Sequence, residues 1–178
     1  FSPACDSSQT LFTDVSISNS GNITNWQWTF GDGNTSILQN PANIYTAPTN
    51  FSVGLKITTN QGCSDSISKV VKVNRRPIAS FGIRQACERN PTLFQSSGNA
   101  VANAASITNW LWDFDGLGSS ILQDPFFEFP TANTYNVKLT VTNSNGCVND
   151  VIIPTKINQS PVANFSFDAV CGKTPVNF

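Results

Sequence analysis

An all-β fold made of two copies of one domain is what this 178-residue sequence predicts. Three observations carry that prediction. The segment Ile23-Thr24-Asn25-Trp26-Gln27-Trp28 returns as Ile107-Thr108-Asn109-Trp110-Leu111-Trp112, a shift of 84 positions (107 minus 23). Repeats of that length are whole domains, because solenoid repeats are much shorter. Apolar residues alternate with polar ones in short runs, the period of a half-buried strand. Turn-forming residues separate the runs, and no stretch shows helical periodicity.

The elements follow in chain order. Trp26, Trp28 and Phe30 alternate with Gln27 and Thr29, which makes one strand with its aromatics on a shared face. Gly31-Asp32-Gly33 then forms a tight turn whose glycines accept positive φ, and Asn40-Pro41 marks another. Phe51, Val53, Leu55 and Ile57 alternate again before the turn Asn60-Gln61-Gly62. The last strand of the unit runs from Ser64 to Val73, with Val71 and Val73 closing it. Phe81 and Ile83 open the second unit, Trp110, Trp112 and Phe114 repeat the aromatic strand, and Tyr135, Val137, Leu139 and Val141 precede the Asn145-Gly146 turn. Upstream of the tryptophans the shift is 82, since Cys5 matches Cys87 and Phe12 matches Phe94. The second unit therefore has two extra residues in the loop before its Trp pair. Cys171 and Phe178 continue the series, so the expected domains are 1–74 with an incomplete first strand, 77–158, and the start of a third at 161–178. The sequence is expected to be a window from a longer array.

Composition narrows the function. Charged residues are only 12%, and ten basic against eleven acidic residues leave a net charge of −1. Nothing here makes a nucleic-acid footprint, and no apolar run reaches transmembrane length. Histidine is absent, which removes the usual zinc ligand and the usual base of a catalytic triad. Five cysteines at recurring places suggest disulfides, and with them an extracellular or cell-surface setting.

The run Trp28-Thr29-Phe30-Gly31-Asp32-Gly33, followed by Ser36, Asn40-Pro41, Tyr45 and Phe51-Ser52-Val53-Gly54-Leu55-Lys56-Ile57, resembles the signature of the PKD (polycystic kidney disease) domain. The second unit keeps Trp112-Asp113-Phe114, Ser120, Asp124-Pro125 and Tyr135 to Val141. It departs where Asp115-Gly116-Leu117-Gly118 replaces Gly-Asp-Gly and where Phe129 replaces the tyrosine. The resemblance implies a seven-stranded immunoglobulin-like sandwich used mostly as an extracellular spacer or adhesive module. The cysteine positions are most similar to those in arrays from secreted proteins of gliding bacteria.

Within such a sandwich two disulfide patterns compete. Cys5 with Cys63, and Cys87 with Cys147, would each close one unit, at about 4 kcal/mol of chain-entropy constraint. The topology implied by the family places Cys5 at the far pole of its unit and Cys63 at the near pole. The strand from Ser64 to Val73 then separates them by roughly 30 Å at about 3.3 Å per residue. A disulfide needs α-carbons within about 7 Å. That favours Cys5 with Cys147 across the joint, leaving Cys63, Cys87 and Cys171 to pair with units beyond the sequence. The linker is short: Asn74-Arg75-Arg76 leads to Pro77, and Asn158-Gln159-Ser160 to Pro161. Proline fixes φ and restricts its predecessor, so the joint is expected to be stiff.

Other candidates each have a plainer reading. Asp32, Asp113 and Asp115 could offer oxygen to calcium, but the acidic positions do not coincide between units. Read as a glycosidase pair, Asp113 and Asp115 lie on one strand end with no acid facing them. Sequons head at Asn22, Asn34, Asn50, Asn158 and Asn164, as chance allows in a chain rich in Asn, Ser and Thr. Asp65-Ser66-Ile67 resembles an O-glycosylation acceptor of the same bacterial group, which makes Ser66 a candidate. Arg75-Arg76 has no basic counterpart in the second joint and reads as solvated linker. Phe126 is expected outward, Phe127 and Phe129 inward.

The expected function is structural: a stiff stalk or shaft of a bacterial surface adhesin, resembling the gliding-associated ones, without catalysis, cofactor, nucleic-acid partner or membrane insertion. Its expected partners are neighbouring domains of the same chain and a surface polysaccharide or other adhesion target. The alternative is a polysaccharide- or protein-binding accessory module of a secreted hydrolase.

Overall fold

The computed structural model describes residues 4–19, 21–84, 86–97 and 105–167. The first unit contains β1 (Ala4–Cys5), β2 (Gln9–Leu11), β3 (Ile23–Thr29), β4 (Thr35–Ser36), β5 (Ala42–Ile44), β6 (Asn50–Thr59) and β7 (Ser64–Asn74). The second contains β8 (Phe81–Arg84), β9 (Pro91–Ser96), β10 (Ile107–Phe114), β11 (Ser119–Ser120), β12 (Phe126–Glu128), β13 (Thr134–Asn143) and β14 (Val148–Lys156). No helix occurs among the described residues. In unit 2 a sheet ordered β11-β10-β13-β14 faces one ordered β12-β9-β8. In unit 1 the sheets are β1-β7-β6-β3-β4 and β5-β2. The expected opening of a third unit, with Cys171 and Phe178, lies mostly outside the described residues, and residues 161–167 form no strand.

Registers repeat as the sequence does. Trp28 lies opposite Leu55 and Trp112 opposite Leu139, and each aromatic strand shifts register directly after its opening isoleucine, between Ile23 and Asn25 and between Ile107 and Asn109. Trp112, Phe114 and Phe94 are fully enclosed, and Phe81 closes on the Trp112 ring at 5.1 Å between centroids. Burying such rings is the main apolar contribution to a sandwich of this size. The stacked pair Tyr45–Phe51 has ring centroids 4.4 Å apart, and its counterpart Phe129–Tyr135 has the same separation. The hydroxyl has moved to the other ring of the pair. Tyr45 donates to the Phe30 carbonyl at 3.2 Å, whereas Tyr135 donates to the Thr131 carbonyl at 2.9 Å. A buried hydroxyl needs a partner, and each unit supplies one on its own side.

A second exchange lies at the turn after the aromatic strand. In unit 1 the Asn43 amide donates to Asp32 at 2.7 Å, and Asn34 donates to Asp32 at 3.1 Å and to Asn43 at 3.0 Å. The shift of 84 puts Gly116, Gly118 and Phe127 at those three places. There Phe127 stacks on Phe114 at 4.1 Å, lying over Gly118, where an added Cβ would sit 2.8 Å from the ring. Unit 1 closes this corner with polar side chains, unit 2 with an aromatic ring and the glycine that admits it.

Candidate functional site

The joint between the two units is built from polar side chains of both domains that hold the linker, together with a disulfide. On the unit 1 side, β1 runs parallel to the end of β7, with Ala4 opposite Val73 and Cys5 opposite Asn74. The Asp6 N–H donates to the Asn74 carbonyl at 2.9 Å, and the Asn74 amide returns to the Ala4 carbonyl at 3.3 Å. The Arg76 N–H then donates to the Asp6 carboxylate at 2.7 Å.

On the unit 2 side the turn after β13 is closed by the Gly146 N–H on the Asn143 carbonyl at 2.8 Å, with Gly146 at φ 78°. The enclosed Asn143 side chain accepts from the N–H groups of Asn145 and Cys147 at 3.1 and 2.9 Å. Its own amide donates to the Arg75 carbonyl at 3.0 Å. Asn149, on β14, donates to the Pro77 carbonyl at 2.8 Å. The three consecutive linker residues Arg75, Arg76 and Pro77 are thus each held by a side chain of one flanking domain.

Cys5 and Cys147 close the joint with a disulfide, their α-carbons 5.8 Å apart. It links residues 142 apart in sequence, which on a chain-entropy treatment constrains the unfolded state by about 5 kcal/mol. The alternative pattern, Cys5 with Cys63 and Cys87 with Cys147, is not what the structure holds. Cys63 is exposed ahead of β7, and the 11 residues of that strand carry the chain about 35 Å, at ~3.3 Å each, to the pole where Cys5 lies.

The two unpaired cysteines among the described residues sit in copies of the two halves of this joint. Cys87 bridges in parallel to Asn158 as Cys5 does to Asn74, and the Glu88 N–H donates to the Asn158 carbonyl at 2.9 Å. Arg89 and Ser7 follow at φ 57° and 54°, the same left-handed turn. Cys63 follows a turn with the Gly62 N–H on the Thr59 carbonyl at 3.0 Å and Gly62 at φ 83°. The copy is incomplete, because Thr59 and Asp65 stand where Asn143 and Asn149 clamp the linker.

The remaining candidates are dispersed. Asp32 lies in unit 1, whereas Asp113 and Asp115 lie in unit 2, and no group of three metal-ligating side chains forms among the described residues. Asp113 instead accepts from the Gly116 N–H at 2.9 Å, and Asp115 takes φ 57° in the turn. Burial opposes ionisation of Asp32, but hydrogen bonds from Asn43 and Asn34 outweigh it and hold the carboxyl below its ordinary range. Ser66 is exposed within β7, its N–H on the Asp65 carboxylate at 2.8 Å. Asn22, Asn34, Asn50 and Asn164 are exposed, and Asn158 donates to the Ala86 carbonyl at 3.2 Å. Phe126 is 66% exposed, whereas Phe127 turns inward. Trp28 and Trp112 are core; Trp26 and Trp110 are half-buried, with indole N–H groups on Asp14 at 2.7 Å and Ser96 at 3.2 Å.

Sequence reasoning did not single out Asn143, Asn149 or Asp6. The signal of Asn143 and Asn149 was the departure from the repeat, Asn for Thr59 and Asn for Asp65, in a chain where asparagine is too common to stand out; Asp6 has the acidic counterpart Glu88 and carried no such signal.

Comparison with known proteins places these observations in a family. The family profile described as "PKD domain" matches residues 2–73 and 74–156. The chain is 27% identical over 157 residues to the pre-pro-metalloprotease PrtV of Vibrio cholerae serotype O1, a match covering 81% of this chain and 16% of PrtV. The chain thus spans about a sixth of that curated relative. The crystal structure of the PKD1 domain of Vibrio anguillarum Epp matches at 22% identity and TM-score 0.45, covering 49% of this chain and 99% of that domain. The PKD1 domain from V. cholerae PrtV matches at 24% identity and TM-score 0.42, covering 47% and 98%.

Proposed function

This chain belongs to the PKD domain family, with two members in tandem, and from that membership we propose that it is a non-catalytic, extracellular structural segment: part of a stiff stalk or shaft of a bacterial surface adhesin. The observation that carries the proposal is the joint. A spacer transmits position or force only if its domains cannot swivel, and here a disulfide and clamps on three consecutive linker residues restrain the swivel. The disulfide also suits an oxidising compartment outside the cytoplasm. A chain with only 12% charged residues and a net charge of −1 gives little salt-dependent attraction to other molecules, as befits a passive element. Small-angle scattering on chains carrying one, two and three copies of the two-domain unit tests it. The maximum dimension should grow linearly with copy number; a compact or freely jointed profile argues against a shaft.

The second reading is an accessory module of a secreted hydrolase. The match to PrtV, a metalloprotease by name, favours it. In that role the pair would bind polysaccharide or protein near a catalytic domain, and the open depression of about 380 Å³ beside Trp26, lined by Asp14, Asn22 and Gln39, is where contact would be sought. Saturable binding of a glycan or peptide, lost on Trp26→Ala, would favour this reading over the first.

A further inference from the structure

The covalent path through this molecule does not follow the chain. Cys5 lies in β1, ahead of the body of unit 1, and Cys147 lies directly before β14, which begins at Val148. The disulfide between them closes a loop with a sequence separation of 142. That loop holds β2 to β7, the linker, and β8 to β13. Among the described residues, β14 is the strand that follows it.

Tension applied to the chain on the two sides of this loop has two routes between Cys5 and Cys147. One runs through both sandwiches and the linker. The other crosses two sulfur atoms between α-carbons 5.8 Å apart. A covalent bridge yields far less than sheets held by individually weak hydrogen bonds, so the short route takes the load. Beyond Cys147 the load runs along β14, nine residues paired antiparallel to β13 from Val148 opposite Thr142 to Lys156 opposite Thr134. The pull enters at one end of this strand and leaves at the other, so it acts along the strand and does not peel it from β13. On the inner face Val151 and Ile153 pack against the core, and Thr155 is buried. A strand rises about 3.3–3.4 Å per residue, and a fully extended chain reaches at most about 3.6 Å. The loaded segment therefore has only about 2 Å left to give.

Without the bridge the load must cross the sheets. It then enters unit 1 through β1, whose parallel ladder to β7 has two register pairs, Ala4 with Val73 and Cys5 with Asn74. The Asp6 N–H on the Asn74 carbonyl at 2.9 Å extends that ladder by one bond. Once these contacts yield and the two cores follow, the separation of 142 residues can open to about 500 Å, at ~3.6 Å each.

We propose that the Cys5–Cys147 disulfide is a force shunt, which takes both domain bodies out of the load path and makes β14 the tension member of the pair. The bodies keep their fold, and any surface they carry, while the chain is pulled. Asn143, Asn149 and Asp6 hold the linker in direction without bearing tension, because the linker lies inside the bridged loop. Reduction of the bridge to two thiols returns the load to the sandwiches, so one bond sets how far the pair can stretch. The shunt follows from connectivity and does not depend on the shaft reading, because an accessory module pulled at its ends would be loaded in the same way.

Single-molecule force spectroscopy on the full chain, held by peptide tags ligated to its two ends, tests this with and without dithiothreitol. Dithiothreitol gives up two electrons and two protons and closes to a cyclic disulfide as Cys5 and Cys147 become thiols. The oxidised chain should release at most about 130 Å, the reach of the residues outside the loop. The reduced chain should release about 500 Å more. Val53→Ala, which trims the core of unit 1, should lower the unfolding force of the reduced chain and leave the oxidised trace unchanged. Peptide mapping of the oxidised sample should recover Cys5 joined to Cys147. A release of about 200 Å or more from the oxidised chain, the reach set by a different pairing, would overturn the proposal. So would an oxidised trace that shifts with Val53→Ala, or traces that are the same with and without dithiothreitol.

Discussion

Asn143 donates its side-chain amide to the Arg75 carbonyl at 3.0 Å, across the boundary between the two domains. The same side chain organises its own turn through its oxygen, so one residue couples the fold of unit 2 to the direction of the linker. Enclosed amides left without partners are costly, and this one satisfies three main-chain groups at once.

Asn143→Ala therefore leaves the Arg75 carbonyl and two turn N–H groups without their partner. We expect a loss of about 1–3 kcal/mol in the stability of unit 2, read from chemical unfolding. Asn143→Thr, which installs the residue of unit 1, should keep part of the turn and lose the contact to Arg75. Equal stability of Asn143→Ala and the parent chain would remove Asn143 from the joint.

Gly118→Ala should destabilise unit 2 by about 1–3 kcal/mol, because the new methyl would meet the Phe127 ring at 2.8 Å and force it off Phe114. Gly82→Ala is the control, since a Cβ there meets nothing within 4 Å. The contrast between the two in urea midpoint decides it.

How much of this was legible in the sequence varies with the kind of contact. The shift from Trp28 to Trp112 and from Val53 to Val137 carries the repeated sandwich, because core positions of a strand are fixed by a period of two. The opposite poles of Cys5 and Cys63 follow from strand direction once the family's topology is assumed. The exchanges between units were not legible as exchanges. Phe127 in place of Asn43 shows as a substitution, but its dependence on Gly118 appears only when the ring lies over that glycine. The move of the hydroxyl from Tyr45 to Tyr135 needs the stacked geometry of the pair. Asn143 and Asn149 act on main-chain carbonyls, and main-chain partners leave no mark in the sequence.

Acid should weaken unit 1 through Asp32. Its folded value lies below the ordinary one, since hydrogen bonds from Asn43 and Asn34 outweigh the opposing effect of burial. A depressed carboxyl contributes stability above its unfolded value of about 3.9, and that contribution is lost as pH falls through the lower folded value. Asp14, held low by Ser16, Trp26 and Gln39 against partial burial, acts in the same direction. Unfolding of unit 1 between pH 6 and about pH 2.5 should therefore show a smaller drop in Asp14→Asn with Asp32→Asn than in the parent. An unchanged drop would assign the acid sensitivity to other groups.

Replacing Cys5 and Cys147 by serine should lower stability by up to about 5 kcal/mol, the chain-entropy value for so long a loop. Both sandwiches should survive, since each has its own core. Loss of all folded structure in the double variant would show that the units are not separate cores.

The central claim is that the joint locks two domains into one rigid element. Backbone ¹⁵N relaxation of the oxidised chain measures it most directly. Both units should tumble with one shared correlation time and one common diffusion axis, and Cys5→Ser with Cys147→Ser should shorten or split those times. Two separate, shorter correlation times in the oxidised chain, unchanged when the disulfide is removed, would contradict the account.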